Sequence, residues 1–125
     1  YLAKWGVPHS PSELSAHRYL THSMRNPIDT IYLKDQKSIK LSPWLSLNDT
    51  QGLCQMAELG LGLVMLHEYV ARQSFRTGAL VEILQDFSLD QFPLYLFYPE
   101  KKAKKSAIRV WIDYLAKSGV FSFSE

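Results

Sequence analysis

The sequence has little cysteine, no long apolar run and no strong excess of charge, and each shortage excludes a class of protein. The one cysteine, Cys54, cannot form an intrachain disulfide, which excludes an oxidised secreted scaffold. The longest apolar run, residues 61–66, falls far short of the ~20 residues that a membrane-spanning helix needs. A formal net charge of +2 is too small to indicate a polyanionic partner. We therefore expect a cytoplasmic protein without membrane contact.

Signatures of catalysis and of metal binding are missing as well. The four histidines (His9, His17, His22 and His67) are not spaced as metal ligands and form no recognisable zinc set with Cys54. No Gly-x-Ser-x-Gly elbow and no outstanding pair of carboxylates is present. The basic run 100–105 is interpreted as a solvated linker, because no aromatic side chains are interleaved with its lysines. We expect no metal, no cofactor, no catalysis and no direct nucleic-acid contact.

What is present is typical of one globular domain. The chain has 125 residues, of which 46% are hydrophobic and 21% charged. It starts at Tyr1 rather than at a methionine, and we expect it to be a piece of a longer protein. Cys54 falls within an apolar helical pattern, which favours a buried, inert thiol.

Strand and helix patterns alternate along the chain. Such alternation predicts an α/β fold with a mostly parallel sheet flanked by helices. The predicted elements are a helix tail at 1–5, a short helix opened by Ser10 and Pro11, a strand at 18–24, a hairpin of 31–33 with 38–41, a strand at 44–47, a helix from Asn48 to Gly60, a strand at 61–66 buried on both faces, a helix at 67–77, strands at 80–84 and 93–98, and a closing helix over 107–115.

The glycines of Gly60-Leu61-Gly62 raise the question of a nucleotide-binding turn. A dinucleotide-binding turn follows a strand and opens a helix, whereas this tripeptide follows a predicted helix and precedes a predicted strand. The third glycine of that fingerprint is also missing. The pattern is better explained by a helix end at Gly60 and a close contact between the helix and the strand.

The polar stretch Asn48-Asp49-Thr50 lies between a predicted strand and a predicted helix. Asn48 is expected to cap that helix, with Asp49 in its first turn. In an open α/β sheet, ligands collect where strands end and helices begin, because free helix N–H groups attract anions there. The stretch therefore either only caps the helix or also contacts a ligand. His22 and His67 are expected at strand ends on the same rim.

Several short motifs occur in an order and spacing typical of one protein family. They are YLAKWGVP at 1–8, ELSAH at 13–17, LNDT at 47–50, ELGLGL at 58–63, GALVEIL at 78–84, FPLYLFYP at 92–99 and IRVWIDYL at 108–115. As an ordered set they resemble the effector-binding domain of LysR-type transcriptional regulators. The resemblance covers nearly the whole chain.

The resemblance implies the two-lobed fold of type 2 periplasmic binding proteins, with a ligand cleft between the lobes. Residues 1–92 would form the second lobe, 93–99 a crossover strand, and 100–125 a linker and a helix of the first lobe. The family's winged helix-turn-helix would lie outside this chain. The implied function is non-catalytic sensing of a small, often anionic metabolite; a solute-binding or transport-associated module of the same fold is the alternative, followed by an enzyme.

The resemblance also implies where the effector binds. By position, contacts would come from Thr21, His22 and Ser23 after the first strand and from Asn48 and Asp49 at the helix start. The family usually has a proline at the position of His67, and a histidine there adds a titratable donor at the mouth of the cleft.

The predicted last helix carries an apolar face whose partner lobe would be absent. Its members are Ile108, Trp111, Ile112 and Leu115. Exposed apolar faces pack against other protein surfaces. We therefore expect the isolated chain to self-associate as a dimer or higher oligomer, for example by exchanging this helix between chains.

Overall fold

The computed structural model describes residues 1–33, 37–87 and 107–118. The chain divides into two compact units, Tyr1–Gln91 and Phe92–Glu125. In chain order the elements are α1 (Leu2–Trp5), a 3₁₀ helix (Pro11–Ala16), β1 (Tyr19–His22), β2 (Thr30–Tyr32), β3 (Ser38–Lys40), β4 (Pro43–Leu47), α2 (Thr50–Glu58), β5 (Leu63–Val64), α3 (Glu68–Thr77) and, in the second unit, α4 (Ala107–Lys117).

A parallel sheet of order β4-β1-β5 organises the first unit, as the sequence predicts. Thr21 of β1 is in register with Ser46 of β4, and Leu20 is in register with Val64 of β5. Because all three strands run in the same direction, their carboxyl ends lie at one edge. We call this the carboxyl edge: the turn after His22, residues 48–49 after β4 and residues 65–67 after β5.

The two faces of β1 have different coverings. Tyr19 packs in a cluster with Ile31 and Leu41, which brings the antiparallel β2–β3 hairpin to one face, and Met65 packs against the same cluster. The next residue, Leu20, is 0% exposed and faces the other side, where α2 packs against β1. The predicted hairpin is thus confirmed, with Ile31 opposite Ile39.

Glycines end two helices, and another glycine allows β5 to approach β1 closely. Gly60 follows α2 with φ 73°, and Gly78 caps α3 with φ 73°, both in the left-handed region that glycine adopts cheaply. A Cβ at Gly62 would lie 2.5 Å from the carbonyl oxygen of Arg18. The predicted close contact therefore exists, but Gly62 meets the backbone at the start of β1 rather than a helix.

The first short helix is 3₁₀, and its start differs from the capping box that the sequence suggests. Ser10 is the N-cap residue but makes no side-chain bond to the helix backbone. Its hydroxyl instead donates to Glu13 Oε1 at 2.7 Å, while Glu13 Oε2 accepts the backbone N–H of His9 at 3.0 Å. These bonds stabilise the ionised carboxyl and therefore lower the pKa of Glu13. The bond from the His9 amide has the larger effect, followed by that from Ser10.

One predicted strand is shorter than expected, and another is absent. The strand expected at 61–66, buried on both faces, contracts to Leu63–Val64, whose residues are only partly buried because β5 is an edge strand of the described sheet. Residues 80–84 form no ladder, and Leu84 takes φ 57°, which interrupts extended backbone. The strand predicted at 93–98 and the linker predicted at 100–106 lie outside the described residues.

Cys54 is buried, as predicted, in the contact between α2 and α3. Its Sγ lies 3.6 Å from the hydroxyl of Ser74, which donates to Glu58. This group joins α3 to α2, the helix that packs against the sheet. Across the part of the chain that the structure describes, no helix is long and apolar enough to cross a membrane.

Candidate functional site

The carboxyl edge brings together the predicted contact residues that follow β1 and β4. The backbone N–H of Ser23 donates to the carbonyl of Leu47 at 2.8 Å, so the turn after β1 lies directly beside Asn48. Both Ser23 and Asn48 are exposed. A polar ligand at this edge can therefore reach a hydroxyl and an amide from neighbouring strands.

Thr21 is the most buried of the predicted contact residues. It is 2% exposed, and its Oγ1 has no hydrogen-bond partner among the described residues. Buried hydroxyls are nearly always paired with protein or with water, because an unpaired one costs about 1–3 kcal/mol. The structure thus leaves a buried hydroxyl near the end of the central strand without a partner among the described residues.

The strand pleat separates Thr21 from His22. Thr21 lies on the same face of β1 as Tyr19, whereas His22 lies on the opposite face with Leu20, towards α2. The Nδ1 of His22 accepts the backbone N–H of Met24 at 3.2 Å, which places a neutral imidazole's proton on Nε2. His22 therefore fixes the turn at the edge and offers one N–H donor on the α2 side.

Asp49, not Asn48, caps α2, which corrects the expectation from sequence. Its Oδ1 accepts the N–H of Gln51 at 3.1 Å and its Oδ2 accepts that of Gly52 at 3.0 Å. A carboxylate accepts both bonds and carries the charge that the helix N-terminus favours. Asp49 therefore has an observed structural role, while the side chain of Asn48 is not used as the cap.

Removing this cap gives the first prediction. Asp49→Ala is expected to lower the free energy of unfolding by about 1–2 kcal/mol, because two amide donors lose their acceptor and the helix N-terminus loses its charge. Urea denaturation followed by circular dichroism measures the change. Asp49→Asn keeps one acceptor and should lose less than half as much. An Asp49→Ala midpoint equal to that of the wild type would contradict the capping role.

His67 reaches the same edge from β5. It is the N-cap residue of α3 without a side-chain capping bond, and its ring stacks on Tyr69 at 5.5 Å between centroids with a 10° interplanar angle. His67 follows β5, which pairs with β1 on the side opposite β4. Along the chain, His67 and Asn48 thus follow the two strands that flank β1.

Two further polar residues of this edge were missed from sequence. Ser46 is exposed and in register with Thr21, so both side chains emerge on one face. Arg25 belongs to the turn after β1: its N–H donates to the carbonyl of His22 at 3.0 Å, and its Nη1 lies 3.6 Å from the Sδ of Met65. The available signal was a basic residue between the end of β1 and Asn26-Pro27.

The described residues 1–33, 37–87 and 107–118 contain no group of three His, Cys, Asp or Glu side chains that could hold a metal ion. The donor set at the edge is instead made of hydroxyl, amide, imidazole and guanidinium groups. Such a set orients a small polar ligand by hydrogen bonds.

Comparison with known proteins gives a consistent result. The family model of the LysR substrate binding domain matches residues 1–119. The HTH-type transcriptional regulator YhjC of Escherichia coli is 25% identical over 121 residues, covering 93% of this chain and 40% of the relative. The HTH-type transcriptional regulator CrgA of Neisseria meningitidis serogroup B is 28% identical over 120 residues, covering 94% of this chain and 40% of the relative.

A solved structure shares the fold. The CrgA regulatory domain from Neisseria meningitidis, a LysR-type transcriptional regulator, superposes with a TM-score of 0.74 at 24% identity, covering 94% of this chain and 59% of that one. The chain spans 40% of the length of each of the two relatives named above. Because the family model matches nearly every residue, the chain belongs to the LysR substrate-binding domain family, the effector-binding domains of LysR-type transcriptional regulators.

Proposed function

We propose that the carboxyl edge is the wall of the effector cleft that this chain contributes to a LysR-type regulator. Thr21, Ser23 and Asn48 are the polar contacts at its centre. His22 borders it on the α2 side and His67 borders it beside β5, while Asp49 holds the helix start from which Asn48 projects. The family match and the arrangement of these residues around the parallel strand ends support the proposal.

The single observation that carries the proposal is the unpaired hydroxyl of Thr21. It is almost fully buried at the end of the central strand, where a polar atom without a partner is costly. A ligand oxygen or nitrogen at this position would recover that cost on binding. We infer that the ligand supplies the partner that this hydroxyl lacks among the described residues.

The chemistry of the edge suits sensing. In the intact regulator, the effector would bind between this lobe and its partner and favour one arrangement of the two. Only such a difference in affinity between arrangements can change how the regulator sits on DNA. The DNA-binding module would lie outside this chain, and the regulator would act in the cytoplasm. The matches to transcriptional regulators do not favour a transport-associated module.

The test separates a ligand contact from a structural residue. A thermal-shift screen of the full-length regulator with small carboxylates, sugars and amino acids first identifies a binding compound. Thr21→Val is then expected to keep or slightly raise the melting temperature of the free protein, because no hydrogen bond to another described residue is lost. It should weaken binding of that compound about tenfold, the worth of one buried hydrogen bond.

The matched control is Thr77→Val. Thr77 lies in the last turn of α3, where its hydroxyl donates to the carbonyls of Gln73 and Ser74. We expect it to leave affinity within about twofold of wild type. Unchanged affinity in both Thr21→Val and Asn48→Ala would overturn the assignment of this edge.

We also predict that the isolated chain self-associates, independently of where the effector binds. Val110, Trp111 and Tyr114 of α4 are exposed by 72%, 59% and 67%, which leaves much aromatic and aliphatic surface in water. We expect the isolated 125-residue chain to form dimers or higher oligomers. Light scattering over a concentration series measures this, and Trp111→Ser with Tyr114→Ser should shift the equilibrium towards monomer. A monodisperse monomer at the highest concentration would contradict it.

A further inference from the structure

We infer that Arg25 is the anion-recognising residue of the carboxyl edge, and that the effector is a small carboxylate. This inference rests on the proposed function, since it names the chemical class of the ligand that the same edge binds. It adds a residue that neither the helix-capping pattern nor the family motifs indicate.

The turn after β1 fixes the position of Arg25. Its backbone N–H donates to the carbonyl of His22 at 3.0 Å, which anchors the residue two positions beyond Ser23. The guanidinium reaches across the end of the central strand to the Sδ of Met65, which follows β5. Met65 packs with the Tyr19 cluster, so the guanidinium lies on the face of the sheet that Tyr19 and Thr21 share.

The guanidinium lacks an internal counter-charge among the described residues. The ion pairs there join Arg72 to Glu68 and Arg109 to Asp113, on exposed helix surfaces. The acceptor that Arg25 has is a thioether sulfur at 3.6 Å, a weak hydrogen-bond acceptor. A partly buried cation with five N–H donors and one weak acceptor retains most of its capacity for an outside anion.

Arg18, which flanks β1 on the other side, is an arginine with a structural role. Arg18 precedes β1 at the opposite end, where its guanidinium lies 5.3 Å from the Trp5 ring centroid and 4.6 Å from that of Trp44. The guanidinium therefore makes two cation–π contacts within the protein. Arg25 has no such aromatic contact among the described residues. We therefore assign a packing role to Arg18 and a ligand-binding role to Arg25.

The neighbouring donors fit a carboxylate. Guanidinium and carboxylate match in plane and spacing and form two parallel hydrogen bonds. The unpaired hydroxyl of Thr21 lies on the same face, and Tyr19 Oη, also buried and without a partner among the described residues, lies two residues earlier on that face. Arg25 and Thr21 are thus the two polar residues of this face that the proposal assigns to the ligand.

The experiment compares charged probes with their neutral isosteres. The full-length regulator is titrated calorimetrically with acetate, benzoate and succinate, and with acetamide, benzamide and succinamide. We expect at least one carboxylate to bind, and its amide to bind at least about tenfold more weakly. Arg25→Met should weaken that carboxylate at least about tenfold, and Arg25→Lys should restore part of the affinity, because a lysine keeps the charge but not the bidentate geometry.

Arg76→Met is the matched control, since Arg76 is an exposed arginine in the last turn of α3. It should leave carboxylate affinity unchanged, and the melting temperature of Arg25→Met should confirm that the variant is folded. Three results would overturn the inference: no carboxylate binds, an amide binds as tightly as its acid, or Arg25→Met binds like the wild type. If a neutral compound binds and only Thr21→Val weakens it, the proposed edge stands and the charge assignment fails.

Discussion

Gly62→Ala is expected to lower the free energy of unfolding of the first unit by about 3 kcal/mol or more. The added Cβ would lie 2.5 Å from the carbonyl oxygen of Arg18 and 3.1 Å from two carbon atoms of Leu20. Backbone and a fully buried side chain cannot yield as a flexible surface chain can, so β5 would have to move away from β1. Chemical denaturation of the variant measures the loss.

Gly78→Ala separates this steric effect from the general cost of replacing a glycine. Gly78 has φ 73°, but nothing lies within 4 Å of a Cβ built there. Its replacement carries only the cost of the left-handed conformation, about 1–2 kcal/mol. Equal losses in the two variants, or a smaller loss at Gly62, would mean that β5 does not approach β1 as closely as described.

Leu53→Ala is the second substitution with a large expected effect. Leu53 is 1% exposed in α2, and α2 packs against β1. Truncation removes buried apolar surface and leaves a cavity, at a cost of about 2–5 kcal/mol. The start of α2 positions Asp49 and hence Asn48. We therefore expect the folded fraction of the variant to bind effector more weakly than the wild type does.

Leu59→Ala is the matched control for this substitution. Leu59 follows α2 directly and is 72% exposed, so the same truncation removes little buried surface. We expect a change within about 0.5 kcal/mol. Denaturation of both variants, followed by calorimetric titration at a temperature where each is folded, measures stability and affinity separately. A comparable loss from both leucines would contradict the packing described for α2.

Several parts of the fold could be predicted because local chemistry decides them. Gly60 and Gly78 end helices since their left-handed backbone suits glycine, and the Ile31–Ile39 pairing follows from alternating residues on either side of a polar turn. The parallel order of the sheet follows from strands alternating with helices. In each case the information lies within a few neighbouring residues.

Other parts depend on contacts that the sequence does not display. Asn48 and Asp49 are both good caps, and only the backbone path after β4 decides that the Asp49 carboxylate meets the amides of Gln51 and Gly52. Residues 80–84 are apolar enough for a strand, but φ 57° at Leu84 interrupts the extension there. Pattern alone cannot show whether a ladder partner is available.

The candidate site divides in the same way. The strand-end position of Thr21, Ser23 and Asn48 follows from the fold class and from the family resemblance. The unpaired state of the Thr21 hydroxyl and the reach of Arg25 to Met65 depend on side-chain packing across strands, so sequence reasoning missed Arg25 entirely. The pleat of β1 separates His22 from Thr21, and only the packing of α2 and of the Tyr19 cluster against β1 shows what covers each face.

We propose that the effector binds at the carboxyl edge. The most direct test is a crystal structure of the full-length regulator bound to the compound that raises its melting temperature most in the screen. We expect electron density for that compound against Ser23 and Asn48, with a polar atom within hydrogen-bonding distance of Thr21 Oγ1. Density elsewhere, for example beside Arg18 and Trp44 near the amino-terminal ends of β1 and β4, would contradict it.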